Sequence, residues 1–288
     1  MKKLFSLGLA IVLTAAVLFG CGGNETGNEG RTEDDNGAMR GLINVVTRED
    51  GSGTRSAFID MLGIEDIWDE ANVQSGTSAV INTVAGSNIA IGYSSLGSIE
   101  GNGTVRAIMI DGIAPTAASI RSGAYPIARN FSIVTAAGLS DAAQDFVDFI
   151  LSSEGQAIVD GSYIAAVASA PTFEVGNASG TIVVGGSTSV APLATTLARA
   201  YMDLNENVTI EVQPLGSSAG INGAIEGTFD IGLTSRSMTA SELAQASETV
   251  IAIDGIAVIV PVSNPIAGLT KAQVADIFTG AVERWEDI

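Results

Sequence analysis

The 288-residue sequence has no histidine and a single cysteine, Cys21. With one cysteine no disulfide can form within the chain. With no imidazole, the usual Cys/His zinc sites and Ser-His-Asp hydrolysis are excluded as well. Lysine is nearly as scarce: Lys2, Lys3 and Lys271 stand against ten arginines, and arginine suits planar, two-pronged oxyanion recognition better than lysine does. Acids outnumber bases 32 to 13, a formal charge of −19. So acidic a surface argues against nucleic acid or anionic lipid as partner. The acids, though plentiful, show neither calcium-loop nor paired-carboxylate spacing, so neither metal nor cofactor is expected. Aromatic residues make up 5%, and Trp68 and Trp285 read as packing residues. What the chain does have is apolar side chains. A content of 46% hydrophobic against 16% charged residues fits a globular body, long enough for one large domain or two modest ones.

The first residues, "MKKLFSLGLAIVLTAAVLFGC", carry a short basic start and an apolar run too short for a comfortable transmembrane helix. Residues 1–20 therefore read as a signal peptide. The ending Leu18-Phe19-Gly20-Cys21 resembles a bacterial lipobox, which makes Cys21 the expected lipidation site and a lipid anchor the expected link to a membrane. Residues 21–40 are polar, acidic and rich in glycine. They read as a flexible tether holding a folded domain off the outer face of that membrane.

Beyond residue 41, short β-branched runs alternate with helical patterns. "LINVV" (42–46), 88–96, 105–110, 181–185, "VTIEVQPL" and "DIGLTS" read as strands. "TRSAFIDML", the segment 140–155 with Gly155 as its stop, a stripe of Val190, Leu193, Leu197, Tyr201 and Leu204, and "SAGINGAIEG" read as helices. Thr239 with Glu242, and Thr270 with Gln273, have capping-box spacing. This alternation implies an α/β fold with a largely parallel sheet, and 167–180 reads as an exposed connection between two blocks. "IDGIA" occurs at 110–114 and again at 253–257, as two equivalent strands crossing between lobes would.

Three segments share one design, a strand end followed by glycine and hydroxyls and then a helix start: "TREDGSGTRSAF", "VVGGSTSVAPL" and "PLGSSAGINGA". Such corners present free N–H groups and hydroxyls at the positive end of a helix dipole. A fourth segment, "DIGLTSRSMT", offers Ser235 and Arg236 at a strand end. One such corner is ordinary helix capping; three with an arginine alongside point to a tetrahedral oxyanion site. Gly216-Ser217-Ser218-Ala219-Gly220 fits the G-x-S-x-G elbow literally but lacks the histidine base, and "DGSGTR" lacks the lysine of a Walker A loop. No catalytic residue is expected.

The motifs "REDGSGTR", "GSTSVAPL", "GSSAGI", "DIGLTSR", "DGIAVIV", "LTKAQVADIFTGAVERWED" and "SEGQAIV" together resemble the phosphate-binding lipoproteins of bacterial ABC importers, the PstS type, from residue 43 to 288. The resemblance implies a two-lobed, periplasmic-binding-protein-like fold of type II with the ligand cleft between the lobes. Block order departs from the family pattern: the part resembling 181–288 comes first there. A circular permutation is the simplest account, and loss of a longer ancestor's end is the rival. In this order one lobe comprises 41–105 plus 260–288 and the other 106–259. By the resemblance, Thr188 and Ser189 match the first oxyanion loop, Ser217 the second, and Arg48, Ser52, Gly53 and Thr54 the third. Asp50 matches an acid that braces the binding arginine. Ser235 and Arg236 complete the set, with Arg236 where some members place an aspartate that accepts the phosphate proton. The implied function is capture of inorganic phosphate by a monomer that docks on an ABC permease. The same device for sulfate, molybdate or tungstate, a phosphate-ester hydrolase, and a sensor or adhesin without transport are the alternatives.

Overall fold

A computed structural model describes residues 39–288. The expected signal peptide, Cys21 and most of the expected tether lie outside the described residues. Met39, placed in the tether by composition, is buried in an apolar core, so the folded body already includes it.

In chain order the elements are β1 (Asn44–Arg48), α1 (Gly53–Leu62), β2 (Asn72–Gln74), α2 (Thr77–Ala85), β3 (Ala90–Ser95), β4 (Val105–Ala107), β5 (Met109–Ile110), α3 (Ala117–Arg121), β6 (Ala128–Thr135), α4 (Asp141–Leu151) and α5 (Ser153–Val159). They continue with β7 (Ile164–Ala165), β8 (Gly180–Gly186), α6 (Ala191–Leu204), β9 (Val208–Pro214), α7 (Ser217–Glu226), β10 (Ile231–Thr234), α8 (Ala240–Leu243), β11 (Ser247–Pro261), β12 (Gly268–Leu269) and α9 (Lys271–Phe278). Both expected capping boxes form, at Thr239 and Thr270. Gly155 does not end a helix. Ser152 breaks the run and caps α5 by accepting from the Gly155 N–H at 3.1 Å. A Cβ at 155 would strike the carbonyl of Phe149, so glycine is what lets α5 follow α4 so closely. Leu204, expected on the buried stripe of α6, is half-exposed.

The main sheet runs β2-β1-β3-β11-β6-β10-β8-β9, with β4 and β7 pairing to β11. It is less parallel than the alternation implies. Parallel triads at each end (β2-β1-β3 and β10-β8-β9) flank antiparallel pairs at the centre. The fifteen-residue β11 spans both regions: its first part pairs with β6, and its last part with β3 and β4.

Two large apolar cores result. The first gathers Val45, Phe58, Tyr93, Val258 and Phe278 among others. The second gathers Phe131, Phe146, Val184, Leu197 and Leu233. Phe58 stacks on Tyr93 at 4.1 Å and meets Phe278 edge-on at 4.8 Å, which pins α1 between β3 and α9. Such aromatic pairs add about 0.5–1.5 kcal/mol each beyond area burial. Among the described residues the chain runs between the cores along β6 and along β11, and the short β7 touches both, with Ile164 in the first and Ala165 packed against the second. Ala128 packs at the first core while Phe131 is in the second; Ile256 is in the first and Ile251 in the second. Ile108, Ile110, Ile120 and Ile127, which the expected border at 105/106 assigns to the second lobe, lie in the first core. The "IDGIA" echo is no pair of crossings either. At 253–257 it lies in β11, but at 110–114 Asp111 (φ 51°) and Gly112 (φ 76°) form an exposed turn closed by Ile110 and Ile113.

Candidate functional site

Four helices begin at one place. Each follows a strand through a corner of glycine and hydroxyls: α1 at Ser52-Gly53-Thr54, α2 at Gly76-Thr77, α6 after Ser187-Thr188-Ser189, and α7 at Gly216-Ser217. Gly76 (φ 89°) and Gly216 (φ 107°) take a backbone that side-chain-bearing residues rarely adopt. The N-cap residues of α2, α6 and α7 make no side-chain capping bond of their own; acceptors from elsewhere in the site meet the first amides of α2, Glu49 at Gly76 and Thr188 Oγ1 at Thr77.

The corners converge across the two cores. Thr54 Oγ1 is 2.8 Å from Ser189 Oγ. Thr77 Oγ1 is 2.9 Å from both Thr188 Oγ1 and Ser189 Oγ. Ser235 stands at the end of β10; its N–H donates to Ser217 Oγ at 3.0 Å, and its hydroxyl lies 3.3 Å from that oxygen and receives Ser187 Oγ at 2.9 Å. Gly53 joins the two groups of hydroxyls. A Cβ there would collide with Ser217 Oγ and come within 2.7 Å of Ser235 Oγ. The Ser218 N–H donates to the Gly51 carbonyl at 3.1 Å, a further link across the cleft.

Arg48 supplies the charge. It is 2% exposed; its Nη1 donates to Thr77 Oγ1 at 3.3 Å, and its Nε and Nη2 hold Glu49 at 2.8 and 2.7 Å. Its backbone N–H donates to the Tyr93 hydroxyl, which also lies 2.7 Å from Thr47 Oγ1. Burial pushes that phenol up to about 12, so it stays protonated. Burial also raises the Glu49 carboxyl, but hydrogen bonds and charge from Arg48 outweigh it and leave the group below its usual range. Glu49 further accepts the Gly76 N–H at 3.1 Å, tying Arg48 to the start of α2.

Of the predicted residues, Arg48, Gly53, Thr54, Thr188, Ser189, Ser217 and Ser235 are brought together. Three others have different places. Asp50 does not brace Arg48: its carboxylate is 94% exposed and pairs with Arg55 at 2.6 Å, and Glu49 is the brace. Ser52 is buried as the cap of α1, accepting from the Arg55 N–H. Arg236 grips Glu242 with both terminal nitrogens, at 3.0 and 2.8 Å, and reaches Ser218 Oγ at 3.3 Å, outside the hydroxyl cluster. Hydrogen bonds from Arg236 carry the Glu242 carboxyl down to about 2, against a smaller opposing effect of burial. Among the described residues, no group of three His, Cys, Asp or Glu side chains is placed to hold a metal ion.

The sequence matches the family model of the PBP superfamily domain over residues 28–154 and 171–287. It is 39% identical over 299 residues to Phosphate-binding protein PstS 2 of Streptococcus agalactiae serotype V, covering 100% of this chain and 98% of that protein. The chain belongs to the PstS family of the PBP superfamily. A second PstS 2, from Streptococcus pneumoniae serotype 4, is 38% identical over 100% of this chain and 99% of its own length. Among solved structures, a phosphate ABC transporter phosphate-binding protein from Streptococcus pneumoniae TIGR4 matches with a TM-score of 0.69 and 40% identity, covering 86% of this chain and 100% of that one.

Four residues of this PstS-family site escape the sequence pattern. Thr77 opens a helix after Ser75-Gly76, the same design as the other corners, but the strand before it has three residues and no apolar run to announce it. Glu49 is hidden beside the more conspicuous Asp50. Arg129 and Asp254 face each other across β6 and β11 as a fully buried ion pair at 3.2 Å. Arg129 also donates to the Ser235 carbonyl at 3.2 Å, and Asp254 accepts from Ser95 Oγ at 2.8 Å. Burial raises the Asp254 carboxyl and lowers Arg129, each partly offset by the other's charge. The pair fastens the Ser235 corner to both crossing strands.

Proposed function

We propose that this chain is an extracytoplasmic solute-binding protein that captures inorganic phosphate in the cleft between its two cores and delivers it to an ABC permease. The observation that carries this reading is the meeting of four helix N-termini, at least six hydroxyls and Arg48 at one point, contributed by both cores. Every one of these groups can donate to an oxyanion, and charge-assisted hydrogen bonds are roughly twice as strong as the neutral ones they replace. Because the donors come from both sides, phosphate binds best when the sides are together, and it draws the protein toward that arrangement through its differential affinity. The two lobes of this reading follow the cores, with β6 and β11 as the connections. Ser218, the formal nucleophile of the G-x-S-x-G match, accepts from Arg236 Nη2 at 3.3 Å, and this reading gives it no catalytic role.

The reading includes lipidation at Cys21 after removal of residues 1–20, a tether, and a monomer working alone at the membrane surface. Among the described residues no helix is long and apolar enough to cross a membrane. It also includes circular permutation relative to the common family order. Residues 41–43 lie against 283–286, where the Ile43 N–H meets the Glu283 carbonyl at 2.8 Å and the Trp285 N–H meets Gly41 at 3.0 Å. A connection cut at that point would leave such neighbours, and permutation is tolerated at surface sites of this kind.

Calorimetric titration of the full chain with phosphate, sulfate, molybdate and tungstate tests the function. Saturable heat with phosphate at micromolar concentration or below, and at least about tenfold weaker binding of the others, is the expected result. A preference for another oxyanion moves the ligand assignment to it, and no heat with any of them overturns the reading.

A further inference from the structure

We propose that Thr77 is a direct ligand of the anion, the hydroxyl through which α2 joins the site. The proposal rests on the phosphate reading of the cleft and adds to it a residue that the family motifs do not contain. Thr77 is buried at the first position of the nine-residue α2. Its Oγ1 is the junction of the hydroxyl cluster, 2.9 Å from Thr188 Oγ1, 2.9 Å from Ser189 Oγ and 3.3 Å from Arg48 Nη1. Its N–H points to Thr188 Oγ1 at 3.3 Å. A hydroxyl has one proton and two lone pairs, so three partners use it fully. The three partners here are two hydroxyls and the guanidinium that the phosphate reading itself places on the anion. A group satisfied by ligands can turn its proton to the same oxyanion that those ligands hold.

The hydroxyl is not needed to hold α2 in place. Val80, Ile81 and Val84 anchor the helix in an apolar cluster with Val46 and Ala90. The Gly76 N–H is taken by Glu49. That same Glu49 grips Arg48 through two nitrogens, so the start of α2 is aligned with the binding guanidinium by a dedicated contact. A helix fixed by its own apolar face, and aimed by a carboxylate at the charge of the site, does not depend on the Thr77 oxygen for its place, so that oxygen can exchange one of its three present partners for the ligand.

The test compares Thr77→Val, which keeps the shape and removes the hydroxyl, with Thr77→Ser, which keeps the hydroxyl. Phosphate affinity is read by calorimetry, and thermal unfolding is followed without phosphate. A lost hydrogen bond to a charged partner weakens binding roughly tenfold to a hundredfold. Thr77→Val is expected to show that loss, beyond whatever its phosphate-free unfolding midpoint gives up, while Thr77→Ser stays within about threefold of wild type. Thr77→Ala gives the same reading if the valine variant does not fold. Wild-type affinity in the hydroxyl-free variants overturns the proposal, as does an equal loss in Thr77→Ser. Failure of the wild-type chain to bind phosphate is a separate outcome and falls on the functional reading.

Discussion

Gly53→Ala is expected to separate the fold from its function. Gly53 opens α1 with an ordinary helical backbone, since it is not among the glycines with positive φ. Alanine is intrinsically favourable there, better than glycine in a helix by up to about 1 kcal/mol. The three atoms nearest the new methyl all belong to Ser217 and Ser235, and none to the first core in which Phe58 anchors the helix. The obstacle lies across the cleft. The added Cβ would overlap Ser217 Oγ, come within 2.7 Å of Ser235 Oγ, and come within 2.8 Å of Ser217 Cβ. The two oxygens can rotate away, at the expense of the donors the site needs. Ser217 Cβ cannot, because it is fixed by the first turn of α7, so the corners must part by about half an ångström or more. Overpacking of this kind costs about 1–3 kcal/mol, which converts to roughly 5- to 150-fold in affinity. The expected result is a phosphate dissociation constant raised by that factor in calorimetry, with urea unfolding of the phosphate-free protein unchanged or slightly more stable. A variant that binds within about twofold of wild type would refute the convergence of the α1 and α7 corners on one anion.

Glu242→Gln should be less stable than wild type at neutral pH, and the difference should fade as pH falls. The wild-type carboxyl titrates at about 2 when folded, below its unfolded value, so its contribution is present above the unfolded value and is lost between about pH 5 and pH 2; urea unfolding across that range reads it. Asp254→Asn leaves Arg129 as a buried, unpaired cation and should destabilise the protein by about 3–5 kcal/mol, whereas the double change Arg129→Met with Asp254→Leu should cost much less. Denaturant midpoints of the two variants compare these outcomes, and equal losses would show that the charge pair is not the source. Phosphate association, followed by stopped flow, should speed up with added salt, since the charge of −19 repels the anion and screening relieves the repulsion.

Most of the site is legible in the sequence because its chemistry is local. A strand end, a glycine, a hydroxyl and a helix start lie within a few residues of each other, and the backbone amides of the corner point where the hydroxyls point. Three corners and the arginine of "REDGSGTR" can be read on those grounds. The residues that cannot be read depend on pairing between distant segments. Arg129 and Asp254 meet only because β6 and β11 adopt one antiparallel register out of several that their apolar patterns allow. The recurrence of "IDGIA" shows the same limit. One aspartate is buried in a strand and the other lies in an exposed turn, with identical neighbours in sequence. The choice between Glu49 and Asp50 is decided by the reversal at Gly51 (φ 80°), where the chain turns and carries Asp50 out to solvent. Thr77 is hidden by the brevity of β2, whose Val73 is exposed and gives no core-facing signal.

The arrangement of charge explains how such a site can both hold and release an anion. Each arginine in or beside it has its own acid: Arg48 has Glu49, Arg236 has Glu242 and Arg129 has Asp254. A buried guanidinium without a partner would destabilise the ligand-free protein by several kcal/mol, so compensation lets the cleft exist before phosphate arrives. Attraction then comes mainly from hydroxyls and helix amides, which are fixed dipoles of short reach. Their sum is large when the Thr54 and Thr77 side faces the Ser189 and Ser217 side, and it falls steeply when the two part. A site built on uncompensated charge would keep more of its grip on the anion over the first few ångströms of opening, since charge–charge attraction falls off more slowly than attraction to dipoles. A site built on opposed dipoles gives up its ligand when the cleft opens, and opening is the one step that delivery to a permease has to impose.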